Sequence, residues 1–155
     1  MGDDVKRQSK IDGVSITGLT QITDARGAVF HVIKSSSMTF KSFGEAYFSK
    51  VNFNVIKGWK YHKKMTQNFS VPYGRIKLVL YDMRPSSNTY GTIEEIYLDP
   101  SDNYVRVTIP PCILYSFKGI SKSYSLLLNI ADIEHDSFES ESIDLFDNHI
   151  PYKWS

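Results

Sequence analysis

The chain has 155 residues, with 18 lysines and arginines against 17 aspartates and glutamates, and a formal net charge of +1. This length fits one domain with a sizeable hydrophobic core, and the balanced charge gives no reason to expect nucleic acid or an anionic membrane as a partner. The single cysteine, Cys112, excludes an internal disulfide framework and suits a reducing cytoplasm. No apolar run approaches the roughly 20 residues that span a bilayer, and residues 1–7 lack the apolar core of a signal peptide.

The order of apolar runs and turn signals predicts a chain of short strands. Residues 1–10 are expected to be a flexible start, and residues 11–155 a single domain. Runs rich in β-branched and aromatic residues predict strands at 14–19, 28–34, 45–53, 55–61, 68–71, 75–82, 93–98, 104–109, 113–117 and 124–130. Helical periodicity is weak, so residues 38–43 and 136–142 are expected to hold a short turn at most, and the acidic stretch 136–144 to be solvated.

Many short strands at a spacing of roughly 8–12 residues predict an antiparallel β-sandwich or jelly roll. An immunoglobulin-type sandwich is the main competitor. It is disfavoured because one cysteine cannot supply the Cys–Trp–Cys spacing of that fold.

A motif between two predicted strands narrows the fold further. Residues 82–91 read D-M-R-P-S-S-N-T-Y-G, and the pattern D-x-R-x-x-S-x-T-Y-G resembles the strand–turn–strand segment of the dTDP-4-dehydrorhamnose 3,5-epimerase family. Four more segments fit that family in order, namely D-A-R-G at 24–27, K-G-W-K-Y at 57–61, I-P-P-C-I-L-Y-S-F at 109–117, and I-D-L-F-D with I-P-Y-K-W between 143 and 154. The resemblance covers residues 11–155 and marks the chain as a divergent member.

This resemblance implies an all-β, cupin-type double-stranded β-helix, which is a jelly-roll barrel. The pocket walls are then expected from residues 57–62, 67–71, 113–117 and 124–130. The resemblance also implies a homodimer, with exchanged N-terminal strands that cover exposed sheet edges.

The family's chemistry starts from a 4-keto sugar on a nucleoside diphosphate. A base removes a proton next to the carbonyl, an enolate forms, and a proton returns on the other face, so the site needs a base, a stabiliser for the enolate oxygen and a proton donor. The family is described as using a His held by an Asp, a Lys and a Tyr.

In the register set by the motifs, the family's base His falls on Lys60 and its orienting Asp on Asp147. The Tyr donor falls on Leu128, and a second His falls on Tyr115. The family's Lys falls near Gln67.

Several of these residues have two interpretations. Lys60 with Asp147 is either a catalytic pair or an ion pair that preserves the geometry of a lost dyad. His62 should face the same side of its strand as Lys60 and is the better base by its proton affinity, or else it is a rim histidine. Tyr115 is either a proton source or a filler of the barrel mouth. Cys112 falls where the family has a glycine, and it is expected to be a small core residue.

The sequence therefore predicts an isomerase or epimerase that acts next to a 4-keto group of a nucleotide sugar, in surface-polysaccharide or deoxysugar biosynthesis in the cytoplasm. Its expected catalytic residues are Lys60, His62, Tyr115 and Asp147, and its expected substrate-binding residues are Arg26, Lys57, Gln67 and Asn129. No cofactor is expected, and no metal, because the cupin His-x-His cluster is broken at Lys60 and Tyr115. The alternative is a binding module that keeps the sugar pocket but has lost the base and the donor.

Overall fold

A computed structural model describes residues 6–155. The strands in this part of the chain are β1 (Lys6–Gln8), β2 (Ser15–Gly18), β3 (Gln21–Asp24), β4 (Gly27–Phe30), β5 (Glu45–Asn52), β6 (Ile56–His62), β7 (Gln67–Tyr73), β8 (Ile76–Asp82), β9 (Ile93–Leu98), β10 (Val105–Ile109), β11 (Ile113–Gly119), β12 (Tyr124–Ala131) and β13 (Ser140–Ser142). No helix occurs within these residues, so none of them forms a helix long and apolar enough to cross a membrane.

Two antiparallel sheets face each other. One has the order β1-β2-β10-β7-β12-β5 and the other the order β13-β6-β11-β8-β9. Alternate side chains point between the sheets, where Phe69 and Val107 of the first sheet meet Leu78, Leu80 and Ile113 of the second in one core. This is the predicted all-β jelly roll.

The outer face of the five-stranded sheet is covered by the C-terminal segment. Trp59, Val79 and Leu114 are buried there against Ile150. The indole of Trp154 donates to Ser116 Oγ at 3.0 Å and so fixes the end of the chain on β11. Residues of β6 and β11 are therefore packed from both sides, which makes them a stable support for a site.

The turn at 82–91 is a hydrogen-bonded structural element. Asp82 is fully buried and accepts from Arg84 Nε at 2.8 Å, Ser87 Oγ at 2.6 Å and Thr89 Oγ1 at 2.6 Å. Arg84 in turn donates to the carbonyl of Asp12 at 2.6 Å. The motif thus joins the N-terminal segment to the end of β8.

The main difference from the predicted elements lies in polar strands. Residues 6–8, expected in a flexible start, form β1 against β2, while residues 1–5 lie outside the described part. Strands β3 and β13 were also not predicted. All three are short edge elements, and backbone hydrogen bonds hold them without an apolar pattern.

Candidate functional site

A cavity of about 260 Å³ opens between the two sheets. Its wall includes Tyr47 of β5, Lys60 of β6, Phe69 of β7, Tyr115 of β11 and Leu127 of β12. All four segments expected to form the pocket contribute to it. The volume is close to the lower end of the ~300–1,000 Å³ range of small-molecule sites.

Gly58 sets how closely β6 approaches β11 in this wall. A Cβ at Gly58 would lie 2.7 Å from the carbonyl oxygen of Tyr115 and 2.9 Å from Cα of Ser116, and the backbone has φ of +108°. Only glycine tolerates both conditions. The two strands therefore meet closely, and Lys60 and Tyr115 become direct cross-strand partners.

Lys60 is half-buried in the cavity wall. Among residues 6–155, it has neither a hydrogen bond nor an ion pair with another side chain. The expected pair with Asp147 is not formed. Asp147 lies in the loop after β13, where it accepts from the amide of His149 at 2.8 Å and from its ring at 3.0 Å. The prediction of an Asp147–Lys60 contact is therefore wrong, because the loop carboxylate is satisfied locally.

The carboxylate partner inside the barrel is instead Glu139, which hydrogen-bonds Nδ1 of His62. The two side chains are 4% and 3% exposed. The second oxygen of Glu139 accepts from the amides of Lys64 at 3.1 Å and Met65 at 3.2 Å. A carboxylate held by three donors in this way is fixed in position and aims at the imidazole.

Tyr115 connects this pair to the cavity. Its hydroxyl lies 3.5 Å from Nε2 of His62 and accepts from Nε2 of Gln67 at 3.2 Å. The rings of Tyr115 and His62 are nearly parallel, with centroids 6.3 Å apart, and Phe69 packs edge-on against Tyr115. Glu139, His62 and Tyr115 therefore form a line that runs from the buried interior to the cavity wall.

The charges along this line follow from burial and hydrogen bonding. Burial lowers the pKa of His62 and outweighs the opposing effect of Glu139. Burial raises the pKa of Glu139, but the hydrogen bonds from His62, Lys64 and Met65 outweigh it, so the net shift is downward. Burial raises the pKa of Tyr115. At neutral pH the line therefore consists of a carboxylate, a neutral imidazole and a neutral phenol.

The expected substrate-binding residues are placed differently. Lys57 lines the cavity but donates to Ser49 Oγ at 3.0 Å and to the carbonyl of Lys50 at 2.8 Å, which joins β6 to β5. Gln67 is buried and is bonded to Tyr115. Asn129 donates to the hydroxyl of Tyr47 at 3.1 Å.

Arg26 is not in the wall of this cavity. It lies in the turn of the β3–β4 hairpin, 89% exposed, and pairs with Asp24 at 2.6 Å. That hairpin is a separate two-stranded sheet whose cross-strand partners Ile22 and Val29 are 52% and 58% exposed.

Counting from the motifs placed the family's Tyr donor on Leu128, but Leu128 does not line the cavity. Leu127 lines the cavity, and Asn129 reaches Tyr47 in its wall. Leu128 points to the opposite face of β12, where it pairs with Phe48. The pairing of β12 with β7 is irregular here, with Leu126 opposite Tyr73 and Leu128 opposite Ser70.

Cys112 is not the core residue that was expected. It is half-buried in the turn before β11 with φ of +68°, and its amide donates to the carbonyl of His62 at 2.7 Å. The family's Gly at this position explains the conformation, because glycine adopts positive φ without strain. No group of three or more His, Cys, Asp or Glu side chains in the described part of the chain is arranged to hold a metal ion.

Sequence reasoning missed Glu139, because it lies in the acidic stretch that was expected to be solvated. Alternation gave no signal for it, because Glu139 and Glu141 are two residues apart and a regular strand would place both side chains on one face. Glu139 points inward, whereas Glu141 accepts from Tyr61 on the other face of β6 at 2.5 Å.

Comparison with known proteins identifies the family. A sequence profile described as dTDP-4-dehydrorhamnose 3,5-epimerase matches residues 8–155. The chain belongs to this family. The family, the jelly-roll fold and the nucleotide-sugar epimerase class predicted from the five motifs are thereby confirmed.

Individual relatives match most of this chain. The crystal structure of a dTDP sugar isomerase from Desulfovibrio desulfuricans G20 is 38% identical, with a TM-score of 0.93 over 96% of this chain and 94% of that one. The spore coat polysaccharide biosynthesis protein SpsL of Bacillus subtilis is 26% identical, over 94% of this chain and 97% of its own. A 3,5-epimerase from Legionella pneumophila, solved with dTDP-4-keto-L-rhamnose, shares the fold at 20% identity, with a TM-score of 0.84 over 97% of this chain and 82% of that one.

Proposed function

We propose that this protein epimerises or isomerises a nucleotide-linked keto sugar next to its carbonyl, in the cytoplasm, during synthesis of a surface polysaccharide or a deoxysugar. One observation carries the proposal. Lys60 and Tyr115 are cross-strand partners in the wall of the cavity, with His62 directly behind Tyr115. The names of the relatives, a dTDP sugar isomerase and a spore coat polysaccharide protein, support the substrate class.

These groups match the needs of proton abstraction next to a ketone. The ammonium of Lys60 stabilises the negative charge that develops on the enolate oxygen, and its lack of a described protein partner leaves it available for that role. Tyr115, with His62, moves the proton. Gln67 orients the hydroxyl of Tyr115. Asp147 is left out of this assignment because its partners are in its own loop.

The sugar ring occupies the cavity, and the nucleoside diphosphate extends beyond it, since about 260 Å³ accommodates only part of the substrate. We further propose a homodimer, as exchanged N-terminal strands would cover the exposed apolar pair of the β3–β4 hairpin. In such a dimer, Arg26 contacts the substrate of the second copy. Asn129 acts through Tyr47 in the cavity wall.

Incorporation of solvent deuterium tests the proposal. With dTDP-4-keto-6-deoxyglucose in D₂O, NMR should detect exchange at C3 or C5, at a rate below that of family members with a His at the base position. Tyr115→Phe and His62→Ala should each slow the exchange by ~10²–10⁴-fold, the usual contribution of a general acid–base group. Tyr61→Phe is the matched control, because Tyr61 adjoins His62 but bonds Glu141 on the outer face.

A binding module without turnover is the second candidate, favoured by the lysine at the base position. Measurable binding of keto-sugar nucleotides without any deuterium exchange would support this candidate and reject catalysis. Family-like exchange that survives in both His62→Ala and Tyr115→Phe would reject the assignment of these residues.

A further inference from the structure

We propose that Glu139 is the positioning residue of a relocated proton relay, in which Glu139 holds His62 so that His62 accepts the proton of Tyr115 during substrate deprotonation. This inference rests on the proposed function for its chemistry. The arrangement of Glu139 and His62 can be tested without substrate. Residue 60 is a lysine and has no imidazole that could act as the base. The proton must therefore leave the cavity by another route.

The hydrogen bonds determine the direction of the relay. A carboxylate can only accept, so the hydrogen of the imidazole must lie on Nδ1, which faces Glu139. The lone pair of the neutral ring is then on Nε2, which faces Tyr115 Oη at 3.5 Å. Because Gln67 donates to the same oxygen, the phenolic hydrogen is directed at Nε2. A distance of this length is common for catalytic hydrogen bonds before substrate binds.

The deprotonation step follows. The C–H bond next to the carbonyl breaks, and its proton moves to Tyr115 Oη while the phenolic proton moves to Nε2 of His62. The electron pair of the C–H bond forms the enolate, next to the ammonium of Lys60. The imidazolium that results is stabilised by Glu139, in the way that a buried carboxylate supports a histidine base in hydrolases. Reversal of the transfer returns a proton to the same face of the sugar carbon and so exchanges it with solvent; the relay accounts for the deprotonation, and inversion requires a donor on the opposite face.

Burial supports a role beyond packing. The side chains of Glu139 and His62 are both buried, and burying an ionisable pair is costly unless its geometry is satisfied. Glu139 has three donors in place, whereas Nε2 of His62 has only a long contact to a cavity residue. The open end of the pair therefore points at the cavity.

The first test uses the unaltered protein and no substrate. Nitrogen-15 NMR of the imidazole should find His62 neutral at pH 7 with its hydrogen on Nδ1. The groups that face this ring are Glu139, which favours the charged form, Lys60 and His135, which oppose it, and Tyr115. A hydrogen on Nε2, or a charged ring at pH 7, would overturn the relay whatever the activity.

The second test compares Glu139→Gln with Glu141→Gln in the deuterium exchange assay. Glu139→Gln should slow the exchange about 10²-fold or more. It should also move the acid limb of the rate–pH profile to lower pH, because the lost carboxylate no longer favours protonation of His62. Glu141→Gln removes the same charge two residues away, on the outer face, and should leave rate and profile unchanged.

The outcomes separate the two proposals. If the wild type exchanges deuterium and Glu139→Gln does so at the same rate with the same pH profile, the relay is rejected and the proposed function stands. If the wild type incorporates no deuterium into any keto-sugar nucleotide, the proposed function is rejected together with the relay step. If Glu139→Gln does not fold, the NMR tautomer of the unaltered protein decides.

Discussion

Replacing Asp82 by asparagine should destabilise the fold strongly while the shape of the side chain is kept. The carboxylate of Asp82 has no solvent exposure and accepts from the side chains of Arg84, Ser87 and Thr89. In the variant, an amide NH₂ group takes the place of one acceptor, and the guanidinium of Arg84 loses its counter-charge. Breaking a buried ion pair in this way typically costs ~3–5 kcal/mol.

Urea unfolding followed by tryptophan fluorescence measures this effect. For a domain of this size, ~3–5 kcal/mol corresponds to a fall in Tm of roughly 6–20 °C. Asp24→Asn is the matched control, because Asp24 also pairs with the arginine two residues later, but at the exposed turn of a hairpin. The unfolding midpoint of that variant should equal the wild-type midpoint.

The pH dependence gives an independent check. The hydrogen bonds from Arg84, Ser87 and Thr89 hold the pKa of Asp82 below its ordinary value despite burial. Its contribution to stability is therefore fully present above the unfolded-state pKa of about 3.9, and is lost as the pH falls through the folded-state pKa. The difference between wild type and Asp82→Asn should shrink below pH 4. A loss of under about 1 kcal/mol at pH 7, or a difference that is constant down to pH 2, would refute the reasoning.

Two further predictions concern positions where the family pattern is broken. Cys112→Gly should raise the free energy of unfolding by up to about 1 kcal/mol, because φ of +68° strains any residue with a Cβ. Cys112→Ala keeps the Cβ and should not raise it. Equal stability of the two variants in urea would contradict this prediction. Leu128→Tyr, which restores the family's tyrosine by count, should leave deuterium exchange unchanged because Leu128 pairs with Phe48 outside the cavity; a rate increase of tenfold or more would place residue 128 in the site.

The sequence predicted the fold well where strands are apolar and poorly where they are polar. Residues 75–82 are a run of apolar side chains, and the structure has β8 at Ile76–Asp82. Strand β1, with Lys6, Arg7 and Gln8, has no such pattern and is held by backbone pairing to β2. Hydrophobic periodicity reports burial, so it cannot detect an edge strand whose side chains remain solvated.

The candidate site was predicted only in part, and the reason differs from the one that applies to the strands. Lys60, His62 and Tyr115 were found because the motifs place them on two neighbouring strands. Glu139 was missed because its contact with His62 joins positions 77 residues apart, and no local pattern encodes that pairing. Leu128 was misplaced because it was located by counting residues from Tyr115, and an error of one residue in such a count moves a side chain to the other face of the sheet.

The replacement of the family's base by Lys60 is related to the polar contacts that His62 and Glu139 make inside the barrel. If the chain had only lost its base, the interior beside Lys60 would be expected to fill with apolar side chains, because unpaired buried polar groups are costly. Instead His62, Glu139 and Gln67 form a connected polar group behind Tyr115, which lines the cavity. Asp147 bonds His149 in its own loop. A carboxylate–histidine pair is thus present two residues along β6 from the position where the family has its base, and this favours a displaced acid–base site over a decayed one.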